Sequence, residues 1–358
     1  MKLSKKKPII GLDIGTHTIK MAEVVSTKSG YRLTGIGMAR IPPDALVEGQ
    51  IQNPEILVRT IKSLFHNLKF KVKNIATSIS GYSVVVKKIN VPRMAEDALA
   101  ENIRFEAEQY IPFDINEVNI DFQILEQPKE EGMVDVSFDR MEVILVAAKN
   151  DIINEYVELI DKAKLTPSVV DVDAFALENV YDTNYDYDEE AAVALVDIGA
   201  SQININIVQG GLSIFTRDAP TGGNQITLEI AREFGVDYEE AEQMKLGYNL
   251  DKNKLIALED IFIAAATAWS REIKQAVDFV SGSLRGGKIN RLVLSGGSSM
   301  IPGFAQYMAR ESGIPVEHID PFAKLSFDSR KIDAEYLKAI APQAAIVIGL
   351  ALRRVGDK

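Results

Sequence analysis

The chain has 358 residues, 46% of them hydrophobic and 25% charged, enough for two or three cored domains and unlike either a disulfide-stapled scaffold or a disordered chain. Forty Lys and Arg stand against 51 Asp and Glu, a formal charge of −11, which argues against broad binding to nucleic-acid phosphates. Cys is absent, which removes disulfides, thiolate nucleophiles, iron–sulfur clusters and thiolate zinc sites in one step and fits a reducing compartment.

Along the chain, Lys2, Lys5, Lys6 and Lys7 open a start that has no signal-peptide core, and four lysines without an adjacent amphipathic helix make a weak lipid anchor. No stretch reaches the roughly 20 uninterrupted apolar residues of a spanning helix, so a soluble, cytoplasmic protein is expected. An apolar run at residues 8–12 leads into Asp13-Ile14-Gly15-Thr16-His17-Thr18-Ile19-Lys20, a strand, Gly turn, strand pattern. Asn53-Pro54 offers an N-cap and first helical position, and Ile56, Thr60, Ile61, Leu64, Phe65 and Leu68 then share one helical face. Residues 83–164 change character to a small α+β unit: strands at 83–91, 118–124 and 141–148, helices at 96–110 and 151–164, and an exposed charged loop at 127–139. Acidic residues 184–190 mark a lobe boundary.

Beyond that boundary the first motif returns. Residues 193–196 lead into Asp197-Ile198-Gly199-Ala200-Ser201-Gln202-Ile203-Asn204, and Val208 matches Val24 at the same offset. An Asp-x-Gly turn taken alone is usually an ordinary turn in which Asp caps backbone N–H groups. Two matched copies half a chain apart are another matter, because Gly turns can aim bare backbone N–H groups at phosphate, and two facing hairpins would grip a polyphosphate. A third element, residues 292–303, runs an apolar strand into Ser295-Gly296-Gly297-Ser298-Ser299-Met300, followed by a helix at 304–310. Glycines between strand and helix let an adenine ring or phosphate lie against bare backbone near a helix N-terminus.

These elements, in this order, resemble the actin, hexokinase and Hsp70 superfold: an α/β, two-lobed ATPase fold that closes over ATP and a divalent cation. Within it, Pro42-Pro43-Asp44-Ala45-Leu46-Val47-Glu48-Gly49-Gln50-Ile51, Phe105-Glu106-Ala107-Glu108-Gln109-Tyr110-Ile111-Pro112-Phe113 and Val169-Val170-Asp171-Val172-Asp173-Ala174-Phe175-Ala176-Leu177 are similar to the PilM family of type IV pilus and related secretion platforms, relatives of the division protein FtsA. The resemblance implies subdomain 1A at 1–82 and 165–190, an inserted partner-binding FtsA-like subdomain 1C at 83–164, subdomain 2A at 191–221 and 289–358, and subdomain 2B at 222–288. It also implies a PilN-like membrane protein as partner, held by its cytoplasmic N-terminal tail, other platform proteins, and membrane contact only through a partner. His17 departs from the pattern, which expects a small hydroxyl residue there.

For the site, Asp13 and Asp197 are candidates for holding Mg²⁺ through water, since Mg²⁺ prefers oxygen ligands and keeps several waters. Phosphoryl transfer needs an in-line nucleophile, a divalent cation and fixed positive groups. Lys20 is a candidate phosphate contact or a solvated strand residue. Asp171 is either a general base orienting water or a helix cap. Gly15, Thr16, His17 and Thr18 of the first turn, Gly199, Ala200 and Ser201 of the second, and Gly296, Gly297, Ser298 and Met300 of the third loop are the nucleotide-binding candidates. Gly222-Gly223-Asn224 would meet ribose or phosphate, or simply cap a helix. The resemblance places Glu242 and Lys245 at ribose and adenine, and an i,i+3 surface ion pair is their plainer reading. The same marks fit a hydrolysed or a tightly held nucleotide, so ATPase activity stays open. The rival functions are a small-molecule kinase of the same superfold and a filament-forming ATPase.

Overall fold

The second sheet shows how the sequence builds the molecule. In β11 (Ala192–Ile198) the side chains of Ala192, Ala194, Val196 and Ile198 join one buried cluster while Val193 and Leu195 join another. A strand covered on both faces must be apolar on both, and this one is. The structure is a computed structural model that describes residues 8–47, 49–125, 140–186, 188, 190–248, 252–284 and 286–355. The polybasic start and the loop expected at 127–139 lie outside the described residues.

In chain order the first lobe comprises β1 (Ile10–Ile14), β2 (Thr18–Thr27), β3 (Gly30–Arg40), the short pair β4 (Leu46–Val47) and β5 (Gln50–Ile51), α1 (Pro54–Asn67) and β6 (Asn74–Ile79). Asn53 caps α1 by accepting a hydrogen bond from the Ile56 N–H at 3.2 Å, with Pro54 in the first turn, as the sequence indicates. Then come β7 (Val84–Pro92), α2 (Glu96–Ala107), β8 (Val118–Ile124), β9 (Arg140–Lys149), α3 (Asn150–Lys162), β10 (Thr166–Val172) and α4 (Asp173–Asn184). The second half runs β11, β12 (Ile203–Gln209), β13 (Leu212–Ala219), α5 (Gly223–Phe234), α6 (Tyr238–Lys245), α7 (Lys252–Ser281), β14 (Ile289–Ser295), α8 (Phe304–Ser312), β15 (Val316–His318), β16 (Leu325–Ser326), α9 (Ala334–Ile340) and α10 (Ala345–Leu352).

Two mixed sheets result. The first has order β10-β6-β1-β2-β3-β16 and the second β13-β12-β11-β14-β15. The hairpin repeat is visible in the register: Asp13 lies opposite Lys20 and Ile14 opposite Ile19, as Asp197 lies opposite Asn204 and Ile198 opposite Ile203. Between the sheets sit α4 and α10, sharing one cluster with Ala22, Val24 and Ala76 of the first sheet and Val193, Leu195, Val208 and Val293 of the second. On the outer face of the first sheet, α1 and α3 bury Leu57, Ile61, Ile152, Tyr156 and Leu159 against Ile10, Leu12 and Ile75. On the outer face of the second, α5, α6, α7 and α8 bury Ile226, Met244, Trp269, Ile273 and Phe304.

Two boundaries expected from sequence move. The sequence pattern makes 83–164 one inserted unit, yet α3 packs in the first-lobe core, so the separate three-stranded sheet β7-β9-β8 with α2 across it spans 84–149. The resemblance puts the tail 289–358 wholly in the second lobe, yet β16 pairs with β3 and α10 lies on β1, β2 and α4. The stretch Ala334–Leu352 has the length and apolarity of a membrane span but is 67% buried in this layer. Missing side chains make the fit possible: a Cβ on Gly349 would stand 1.8 Å from the Ala176 carbonyl oxygen, and one on Gly11 2.3 Å from that of Val347.

Because backbone cannot yield as a flexible side chain can, Gly349→Ala should lower stability by roughly 1–3 kcal/mol or more. Gly282→Ala, whose added methyl meets nothing within 4 Å, should change it by less than about 0.5 kcal/mol. Paired thermal or denaturant melts check both.

Candidate functional site: a polar cleft between the two hairpins

Each hairpin turn is closed by the same backbone bond, Gly15 N–H to the Thr18 carbonyl at 3.1 Å and Gly199 N–H to the Gln202 carbonyl at 2.9 Å. The turns touch across the lobes, the Thr16 hydroxyl donating to Ser201 Oγ at 3.1 Å. Below them opens a cavity of about 860 Å³. Asp13, Gly15, Thr16, His17, Thr18, Lys20, Asp197, Gly199, Ala200, Ser201, Asn224, Glu242, Lys245, Gly296, Gly297, Ser298 and Met300 all line it.

At its floor the Lys20 ammonium donates to Asp13 Oδ2 at 2.7 Å. Burial by itself would lower the pKa of Lys20, but the Asp13 carboxylate, with Asp197 and Asp173 beyond, outweighs it and holds the ammonium above its ordinary value. Burial pushes the Asp197 carboxyl up to about 6, against a Ser295 hydroxyl that donates to it at 2.8 Å and the opposing pull of Lys20. Asp173 is pushed up to about 7, by burial first and the nearby Asp13 charge second, although the Ser78 and Ser80 hydroxyls both donate to it, Ser80 at 2.6 Å.

Asp171, the expected base, is not in this cavity. It is buried on β10, accepts the Val172 N–H at 2.8 Å and faces Arg353 Nε at 3.5 Å, where α10 ends. The strand stops at Val172 and the chain turns into α4, so the carboxylate two residues on, Asp173, is the one delivered to the cleft. Of the expected glycines, Gly222 and Gly223 lie behind the second turn. Gly223 N–H donates to the Gly199 carbonyl at 3.0 Å, and a Cβ there would stand 2.2 Å from Ser298 Oγ. Gly222 borders a smaller neighbouring cavity of about 250 Å³. Gly296 has φ +83°, and a Cβ on it would stand 2.3 Å from the Ile198 carbonyl, so the third loop approaches the second hairpin backbone to backbone.

Elsewhere in the lining, beside Gly223, Lys245 pairs with Glu242 at 2.6 Å and donates to Thr227 Oγ1 at 2.9 Å, while the Thr227 hydroxyl donates to Glu242 at 2.6 Å. The pair is buried and tied down, which is more than a surface i,i+3 contact supplies. His17 is half-buried, and burial holds its pKa below the ordinary value, with Glu242 opposing and Lys245 and Arg40 assisting. Ser78, Ser80, Arg40 and Gln343 also line the cavity, and nothing in the residue pattern marks them, since a lone Ser at a strand end or Gln in a helical turn carries no motif.

Two sheets around a shared helix pair, each opening with the same hairpin onto one polar cleft, define a protein of the actin, hexokinase and Hsp70-like fold. The model of the type IV pilus assembly protein PilM matches residues 11–355, and the chain belongs to that family. Among solved structures, a PilM–PilN type IV pilus biogenesis complex is 27% identical, covers 98% of this chain and 100% of that one, and superposes with a TM-score of 0.86. Cell division protein FtsA of Bacillus subtilis (strain 168) is 23% identical over 331 residues, 82% of this chain and 74% of that protein. MreB5 of Spiroplasma citri bound to ADP, 11% identical with a TM-score of 0.52 over 96% of this chain and 94% of that one, shares the fold.

The acidic cluster makes a pH-dependent prediction. Between the ordinary 3.8 and about 7 the unfolded chain releases the Asp173 proton while the folded protein keeps it. The folded state then binds more protons, so this group's contribution to stability falls as pH rises through that window. Asp173→Asn should therefore raise the stability of ligand-free protein at pH 8 by roughly 1–3 kcal/mol, with the gain shrinking towards zero near pH 4. Melts of variant and wild type across that range test it, and a gain independent of pH would contradict the assignment.

Proposed function

We propose that the protein is an actin-like, ATP-binding member of the type IV pilus assembly platform, or of a related secretion platform. In this reading it binds the cytoplasmic tail of a PilN-like membrane protein and sits at the inner face of the membrane through that partner. The nucleotide assignment rests on one observation above all: two matched hairpins from different lobes converge on a cleft that gathers three carboxylates, Asp13, Asp173 and Asp197, around Lys20. The partner assignment rests on the family and on the likeness to a PilM–PilN complex.

The residues fit Mg-ATP. Backbone N–H groups around Gly15, Gly199 and Gly297 and the Lys20 ammonium suit phosphate oxygens. Asp13 and Asp197 would hold Mg²⁺ through water, since Mg²⁺ prefers oxygen ligands and keeps several waters. When bound, the cation supplies charge neutralisation at the phosphates. Asp173, fixed by Ser78 and Ser80, replaces Asp171 as the group to orient a water, and a carboxyl titrating near 7 can take a proton at neutral pH. Glu242 and Lys245, which also line the cavity, would meet the ribose and base. Binding that favours closed lobes would stabilise whichever partner-binding form goes with closure, a differential-affinity effect.

At a hundred times its dissociation constant a ligand adds about 2.7 kcal/mol to stability. Mg-ATP should therefore raise the melting temperature of the wild type, and the shift should vanish in Asp13→Ala and in Asp197→Ala. In the same protein, a synthetic PilN-like tail peptide should bind more tightly with Mg-ATP than without. Equal peptide affinities would remove the coupling while leaving the nucleotide site intact.

A further inference from the structure

One turn of chain, residues 80–83 between β6 and β7, touches three parts of the molecule at once. Toward the cleft, the Ser80 hydroxyl donates to Asp173 Oδ2 at 2.6 Å and accepts from Gln202 Nε2 at 2.5 Å, so it joins the first-lobe carboxylate to the second hairpin. Toward the second lobe, the Gly81 N–H donates to Asp218 Oδ2 at 2.6 Å, and the other oxygen of that carboxylate accepts from Asn204 Nδ2 at 2.8 Å. Toward the three-stranded unit, Lys149 at the end of β9 lies over the Tyr82 ring at 5.7 Å, while Gln50 of β5 in the first lobe donates to the Tyr82 hydroxyl at 2.5 Å. From Val84 the chain continues directly as β7, an edge strand of that unit.

We propose that the 80–83 turn is a coupling element: it transmits the state of the nucleotide cleft to the orientation of the β7-β9-β8 unit. The inference rests on the nucleotide reading and names the regulation of that site.

The physical case is that the turn cannot hold all its bonds when the lobes shift. Gln202, Asn204 and Asp218 belong to the second lobe, while Ser80 and Gly81 belong to the first. Any rotation of one lobe against the other changes the distances from Gln202 to Ser80 and from Asp218 to Gly81. Charge-assisted hydrogen bonds to a carboxylate are short and directional, so the turn follows the lobe that holds it more firmly. Gly81, in the left-handed region at φ +82°, lets the turn lie this close to the second hairpin, since Gln202 Oε1 stands 3.2 Å from where a Cβ would be. Ser80 gives its one hydroxyl proton to Asp173 and a lone pair to the Gln202 amide, so a shift of Asp173 that turns the hydroxyl alters the acceptor Ser80 offers Gln202. The three-stranded unit has its own small core around Leu99, Ile103, Val143 and Leu145. Such a unit moves as a body about the chain that enters it, and that chain is this turn.

The test is hydrogen–deuterium exchange on the full chain with and without saturating Mg-ATP, in the wild type, Asp218→Ala and Tyr82→Leu. Neither residue lines the cavity. In the wild type Mg-ATP should slow exchange at both hairpins, residues 13–20 and 197–204, and also change it at residues 84–92 and 140–149 by about threefold or more. Each variant should keep the hairpin protection and lose most of the response at 84–92 and 140–149. Either variant alone suffices, so misfolding of one leaves the other to decide. An undiminished response at 84–92 and 140–149 in a variant that still protects its hairpins overturns the coupling but not the nucleotide site, as does a wild type protected only at the hairpins. A wild type with no protection at the hairpins overturns the nucleotide reading and the coupling together.

Discussion

The arrangement on which the rest depends is the burial of three carboxylates against one ammonium where two sheets meet. Asp13 and Asp197 close equivalent strands of the two lobes, Asp173 opens the helix between them, and Lys20 answers directly only Asp13. Acids gathered in that number away from water are costly when ionised, which is why Asp197 and Asp173 are held at about 6 and about 7. A protein evolving for stability alone would dilute such a cluster. Retaining it makes sense if a cation and an anionic ligand complete it, and the strain is then the reserve from which ligand binding draws.

The layer beneath explains how the cluster survives. Helices α4 and α10 are sandwiched between the two sheets, and their contacts depend on hydrogens where side chains would otherwise stand, at Gly11 and Gly349. Asp173 starts α4, so the same helix that joins the lobes also delivers a carboxylate to the cleft. Farther along α4, Glu178 accepts a hydrogen bond from Ser213 on β13, and Asn206 of β12 donates to the Ala174 carbonyl at 2.8 Å. The connecting helix is thus pinned to the second sheet by polar contacts and to α10 by close apolar ones. Polar contacts re-form in a new geometry more readily than interlocked backbone does, so relative motion of the lobes should be borne on the β12–β13 side of α4.

Much of this was legible in the sequence, for identifiable reasons. The hairpins could be read because a repeated Asp-Ile-Gly at matched offsets constrains both backbone and chemistry, and the third loop because two glycines after an apolar strand have few other uses. Glu242 and Lys245 could be read from family likeness and helical spacing. Asp171 and Asp173 could not be separated, because the decision turns on where β10 ends and α4 begins, and one residue of phase sends a carboxylate to Arg353 or to the cleft. The lobe to which α10 belongs was hidden for a different reason: an octapeptide apolar on every side announces burial but not its neighbour. Ser78 and Ser80 were invisible because their role exists only once β6 and α4 are side by side.

The two hairpins have kept one backbone and divided the work between them. In the first, the residue opposite the Asp is Lys20, which turns back on that Asp as a cation inside the cleft. In the second it is Asn204, neutral and buried, whose amide reaches Asp218 and through it the Gly81 turn. Had both positions carried Lys, the cleft would be closer to neutral. Had both carried Asn, nothing in the floor would meet a phosphate with positive charge, and Asp13 would join the unanswered acids. One Lys and one Asn leave carboxylates in excess over Lys20 while tying the second hairpin to the turn that leads into the three-stranded unit. The asymmetry within the repeat is therefore a division of labour, since the residue that balances charge in one lobe is replaced in the other by the residue that carries the connection toward the three-stranded unit.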